Sequence, residues 1–221
     1  MPLHFAYFRS MDVELIAVCL LLITGVVLSI LKKKLTPLAA IGGGSVGLVL
    51  YLGADITGLA LLATFFLLGT AATAWKASAK QAVFNEEGDS PRHLGQVLAN
   101  GGAAGLLGLA ALLFPDYKEV FVVMIAGAFA AATADTLSSE LGTVHGKRFY
   151  NILTFRKDQR GLDGVVSLEG FAIGMLGSAI IGIVYCVGCG WVMHFGGFLL
   201  PELQETLSTQ SWAQHSNVAD Y

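Results

Sequence analysis

Apolar residues run along this chain in long blocks instead of recurring at the three-to-four-residue spacing of a half-buried surface helix. Blocks of about 20 apolar residues can cross a hydrocarbon layer as helices, and six fall at residues 13–31, 36–53, 57–75, 94–114, 119–141 and 164–192. Gly42, Gly43, Gly44 and Gly47 interrupt the second block, which in a membrane helix signals either close helix contact or a local opening of the backbone. The sixth block is long, with a kink expected near Gly188 and Gly190. Short connections at 32–35, 54–56 and 115–118 alternate with longer polar ones at 76–93 and 142–163. The pattern predicts an all-α fold, a polytopic transmembrane helix bundle of about six spans. Residues 1–192 form a single transmembrane domain and residues 193–221 a polar C-terminal tail.

Composition supports that reading. Hydrophobic residues make up 55% of the 221 positions and charged residues only 13%, with 27 glycines. A soluble domain of this size needs a mostly polar surface, which so few charges cannot supply. The net charge of −3 provides no global basic field, so nucleic acid is not an expected partner. The first block follows acidic residues and is too long for the apolar core of a cleaved signal, so it is read as a span. Cys19, Cys186 and Cys189 lie within apolar blocks and are read as small buried hydrophobes. The Cys186/Cys189 pair lacks the second pair or the histidines that a zinc site needs.

The distribution of the few charges changes the picture more. Eleven of the thirteen Lys and Arg fall in the first, third and fifth connections, and only Arg9 and Lys118 fall elsewhere. The positive-inside rule then predicts that loops 76–93 and 142–163 are cytoplasmic and that the N-terminus is outside.

Against this background the polar residues inside spans stand out. Asp135 and Glu140 lie in the segment Thr133-Ala-Asp-Thr-Leu-Ser-Ser-Glu-Leu-Gly142, and a carboxylate within a span costs about 3 kcal/mol on insertion scales unless it faces a polar interior. With the hydroxyls of Ser138 and Ser139 nearby, Asp135 and Glu140 are candidate oxygen ligands for Mg2+, whose shell bound phosphates would complete. The following loop carries Lys147, Arg148, Lys157 and Arg160, and then Asp163, Ser167 and Glu169 at the start of the last span. Cations beside candidate metal ligands, followed by a helix N-terminus, suit a polyphosphate. Gly142 to Lys147 is not a P-loop, because one residue between the glycines is missing and Arg148 stands where Ser or Thr is needed. Gln96 and Asn100 share a helix face one turn from Arg92, which suits contact with a phosphate or base, or an interhelical hydrogen bond. Asp163, Ser167, Gly170, Gly174, Gly177 and Gly182 form a stripe read mainly as helix packing.

Three strings carry a resemblance: Gln96-Val-Leu-Ala-Asn-Gly101, Thr133 to Gly142, and Gly164-Val-Val-Ser-Leu-Glu-Gly170. In that order and at these separations they resemble the DUF92 (TMEM19-like) integral membrane proteins, over about residues 15 to 190. That family includes plant and cyanobacterial phytyl-phosphate kinases. The resemblance implies a membrane-embedded phosphotransferase that converts an isoprenoid monophosphate, phytyl phosphate or similar, to the diphosphate with CTP or another NTP and Mg2+. On this reading Asp135, Lys147 and Arg148 are catalytic and Asp135 with Glu140 holds Mg2+. Arg92, Gln96, Asn100, Ser138, Ser139, Lys157, Arg160, Ser167 and Glu169 then bind the lipid phosphate and nucleotide. The expected setting is a bacterial or cyanobacterial inner membrane or a plastid envelope, with the site on the cytoplasmic or stromal side; a homo-oligomer is left open. The alternative is a transporter or flippase for an anionic lipid or small anion, built on the glycine-broken second span as a discontinuous helix.

Overall fold

The computed structural model describes residues 2–75, 90–160, 162 and 164–190. Helix α1 is Pro2–Leu31, α2 Pro37–Ala74, α3 Leu94–Leu113 and α4 Lys118–His145. A short antiparallel pair, β1 Phe149–Asn151 with β2 Val165–Ser167, precedes α5, Leu168–Gly190. The chain is thus a polytopic all-α membrane bundle with one small sheet attached.

Five helices among the described residues are long and apolar enough to cross a membrane, and α2 contains two of the six expected spans. Its backbone leaves helical geometry at Ala54 (φ −135°, ψ 18°) and Asp55 (φ 52°, ψ −154°). A methyl group on Gly58 would lie 2.7 Å from the carbonyl oxygen of Leu50, and one on Gly47 3.3 Å from Leu62. Residues that far apart in one straight helix are separated by about 12 and 22 Å. The two arms, residues 37–53 and 56–74, are therefore antiparallel, each roughly 25–30 Å long, which matches the thickness of a hydrocarbon core.

The four glycines of the second span do not open the helix. Gly42 abuts Leu94, Gly44 abuts Val26 and Gly47 abuts Leu22 and Leu62, so their lack of side chains serves close helix approach. Thr36 starts this arm by accepting the Ala39 N–H at 3.3 Å, with Pro37 in the first turn. Gly53 meets the Gly108 carbonyl, so α2 and α3 approach backbone to backbone there.

The core gathers Leu50, Leu61 and Phe65 of α2, Ala104 of α3, Ile125 and Phe129 of α4, and Ile181 of α5. Phe65 and Phe129 pack with ring centroids 5.7 Å apart. Outward-facing Leu20, Leu106 and Leu176 are well exposed, as expected of side chains whose solvent is lipid. Helix α5 crosses α4 on Gly170, Gly174 and Gly177, where methyl groups would meet Ser138 O at 2.8 Å, Ala134 O at 2.9 Å and the Leu137 side chain. The glycine stripe is thus a packing surface at these three positions, whereas Gly182 faces open space.

Two boundaries and one kink differ from the sequence expectation. Helix α4 runs on through Gly142 to His145, so the basic loop begins one turn later. Residues 165–167, expected to open the sixth span, are a strand, with Phe149 opposite Ser167, and α5 starts only at Leu168. Helix α5 stays helical through Gly188, whose missing side chain makes room for Thr57. Strands of three residues carry too little periodicity to be read from sequence.

Candidate functional site

The connections split between two ends of the bundle. One end holds the turn at Asp55 and the start of α4, joined by an ion pair of 2.6 Å between Lys118 Nζ and Asp55 Oδ2. The other, basic end holds Lys32, Lys33 and Lys34, the segment leading into α3, and the β1–β2 hairpin.

Arg92 organises the basic end. Its N–H donates to Lys34 O and its carbonyl accepts from Thr36 N–H, both at 3.0 Å, so it pairs in parallel with the turn between α1 and α2. The guanidinium reaches α2, donating from Nη2 to Gly69 O at 3.1 Å and to Thr73 Oγ1 at 2.7 Å. Thr73 Oγ1 also lies 2.9 Å from Glu140 Oε1 of α4 and 2.9 Å from Gly69 O. The hydroxyl has one proton. Arg92 only donates and a carboxylate only accepts, so the hydroxyl links them by accepting from one and donating to the other.

Two openings meet at this arginine. A shallow open recess lies between the arms of α2 and α3, walled by Gly43, Val46, Leu62, Phe65, Phe66 and Val97, with Arg92, Gln96 and Asn100 as its polar members. Next to it, a small basic crevice is lined by Lys33, Lys34, Thr70, Thr73, Ser90, Arg92 and again Phe66. The pair suits an amphiphile: apolar walls accept a chain, and the cations accept an anionic head.

The sequence-derived candidates divide accordingly. Arg92, Gln96 and Asn100 are brought together along the recess, although the Gln96 Oε1 accepts the His93 N–H at 3.1 Å and so also caps α3. Asp135 and Glu140 are not brought together. Five residues apart on one helix, they diverge by about 140°, Asp135 on the exposed face and Glu140 facing Thr73. No group of three or more His, Cys, Asp or Glu suited to a metal occurs among the described residues.

Ser138 and Ser139 donate to the Asp135 carbonyl at 3.1 and 2.8 Å, spending their protons on their own helix. Ser167 is buried and accepts the Gly170 N–H at 3.0 Å, capping α5. Glu169 Oε2 accepts the Lys147 N–H at 3.3 Å, tying the hairpin to α5. Lys147, Arg148, Lys157 and Arg160 are exposed on the hairpin and its loop. Asp163 and residues 76–89 lie outside the described residues, as does the tail from 191 onward.

Sequence reasoning assigned no binding role to Lys33, Lys34 or Thr73. The lysines read only as topogenic charge, and Thr73 meets Arg92 and Glu140 across 19 and 67 residues. The run Lys32-Lys33-Lys34 was the available signal.

Apolar helices, a basic end and an amphiphilic opening define a polytopic membrane protein with a site near one surface. Within that class, the chain belongs to the DUF92 integral membrane protein family, whose model matches residues 20–214. It is 32% identical over 133 residues to Protein VTE6, chloroplastic, of Arabidopsis thaliana, a match covering 58% of this chain and 40% of that protein. An uncharacterized membrane protein of Methanocaldococcus jannaschii is 29% identical over 197 residues, covering 88% and 76% of the two chains. One from Synechocystis is 27% identical over 181 residues, covering 80% and 69%. The chain thus spans well under two thirds of its chloroplastic relative. No solved structure matches the chain significantly.

Proposed function

We propose that this protein is a membrane-embedded kinase that transfers a phosphoryl group from CTP or another NTP to an isoprenoid monophosphate such as phytyl phosphate. The single observation that carries the reading is the apolar recess ending on Arg92 and opening beside a basic crevice, in a member of the DUF92 family, whose resemblance implies phytyl-phosphate kinase chemistry. The lipid tail passes from the bilayer into the apolar recess while its phosphate meets Arg92. An oxygen of that phosphate attacks the terminal phosphorus of the nucleotide, the bond to the bridging oxygen breaks, and the nucleoside diphosphate leaves with that oxygen. A phosphate monoester is already a nucleophile, so positioning and charge neutralisation supply most of the catalysis.

In this reading the nucleotide phosphates answer to Lys147, Arg148, Lys157 and Arg160, with the basic end on the cytoplasmic or stromal side. On this reading Mg2+ would be held by one carboxylate and completed by substrate phosphates, not by an Asp135–Glu140 pair, because the two diverge around α4 while Glu140 is engaged by Thr73. Asp135 is the carboxylate on the exposed face. Mg2+, when bound, would neutralise charge on the phosphates. The transporter alternative loses its motivating feature, since the second span is helical through its glycines and the break at Asp55 forms an end turn.

The test is purified full-length protein with radiolabelled NTPs and a panel of prenyl monophosphates. Formation of prenyl diphosphate supports the reading. Its absence for every pair, with phosphorylated-lipid movement in vesicles instead, would transfer support to the flippase.

A further inference from the structure

We infer that Lys33 is a phosphate-binding residue: with Lys34 and Arg92 it forms an anion subsite for a terminal phosphate group at the end of α1. The first observation is conformational. Lys33 has φ 53°, in the left-handed region that glycine occupies without cost and other residues avoid.

The hydrogen bonds define the position. The Lys33 N–H donates to Ile30 O and the Lys34 N–H to Ser29 O, both at 2.9 Å, which is the Schellman helix ending with Lys33 where glycine is most common. A lysine kept in a strained backbone conformation calls for an explanation in what its side chain does.

The second observation is placement. Lys33 and Lys34 line the same crevice as Arg92, Thr70, Thr73 and Ser90, so three cations from two chain segments and three hydroxyls border one opening. Arg92 fixes the turn by its backbone pairing with residues 34 and 36 while its side chain faces the crevice. Phosphate suits such a border, because it offers several acceptor oxygens and up to two charges. Glu140, joined to the crevice through Thr73, offsets one of the three cations, which leaves positive charge for one phosphate and not for a second. The inference depends on the kinase reading only for which phosphate arrives, that of the lipid or that of the nucleotide.

The left-handed backbone supplies a discriminating variant. Lys33→Gly removes the side chain and relieves the turn, so the ligand-free melting temperature should stay or rise by a few degrees. Farnesyl monophosphate and CTP are titrated separately into the purified full chain in nanodiscs, with farnesol as an uncharged control.

The expected result is binding of one phosphate ligand weakened about tenfold or more, as for loss of a charge-assisted hydrogen bond, with farnesol unaffected and Lys33→Arg close to wild type. Weakening of farnesyl monophosphate alone identifies the lipid head as the occupant, and weakening of CTP alone the nucleotide. Unchanged binding of both, or a fall in ligand-free stability that accounts for the loss, overturns the inference. Absence of phosphoryl transfer in the wild type, with the binding loss intact, would reject the kinase and leave the subsite standing.

Discussion

Arg92 donates a 2.7 Å hydrogen bond to the Thr73 hydroxyl, and through that hydroxyl the segment before α3 is tied to Glu140 of α4. One threonine thus holds three elements together beside the candidate site. Thr73→Val keeps the shape and removes the link. It should cost about 1–3 kcal/mol, seen as a lower melting temperature, and should reduce lipid-phosphate affinity as Arg92 loses its orientation. Wild-type values for both would show that Arg92 is positioned by its backbone pairing alone.

Asp135 makes the opposite prediction. Its side chain lies on the exposed face of α4, and the described residues hydrogen-bond only its backbone carbonyl. Asp135→Asn should therefore leave stability within about 0.5 kcal/mol while abolishing phosphoryl transfer, measured as prenyl diphosphate formed. Transfer at the wild-type rate would remove Asp135 from the chemistry.

At the other end, Asp55 combines a left-handed backbone with a charge partner, Lys118. The pair is roughly half exposed, with side chains 37% and 51% accessible for Lys118 and Asp55, so its net contribution should be about 0–1 kcal/mol. The backbone term is separable. Asp55→Gly should be more stable than Asp55→Ala by about 1 kcal/mol, read from thermal unfolding of the two variants in the same detergent. Equal stability would mean that the turn tolerates a β-carbon without strain.

The α2–α3 contact is the most sensitive to volume. A methyl group on Gly53 would run into the Gly108 carbonyl group, and backbone cannot rotate away as a side chain can. Gly53→Ala should destabilise the bundle by about 1–3 kcal/mol or more and disturb the recess between these helices. Gly127, with nothing within 4 Å, is the control: Gly127→Ala should fold as well as wild type or better.

Part of the candidate site follows helical spacing and so is legible in the sequence. Gln96 and Asn100 lie four apart, and both border the recess with Arg92. The Asp135–Glu140 pairing failed because five residues is the wrong interval for a shared face. Ser167 was unreadable as a cap because the strand it ends is held by β1, 16 residues away in register at Val166 and Tyr150.

The sequence by itself determined the membrane class, the spans and the basic end. Lipid demands long apolar helices with their backbone bonds satisfied internally, and that demand is written residue by residue. Only the tertiary structure decided which polar groups meet: that Arg92 finds Thr73 and Glu140, that Lys33 adopts a glycine's conformation at the crevice, and that Asp135 and Glu140 part company around α4. Burial in lipid is a property of each segment alone, whereas a binding site depends on distances between segments that no local pattern encodes.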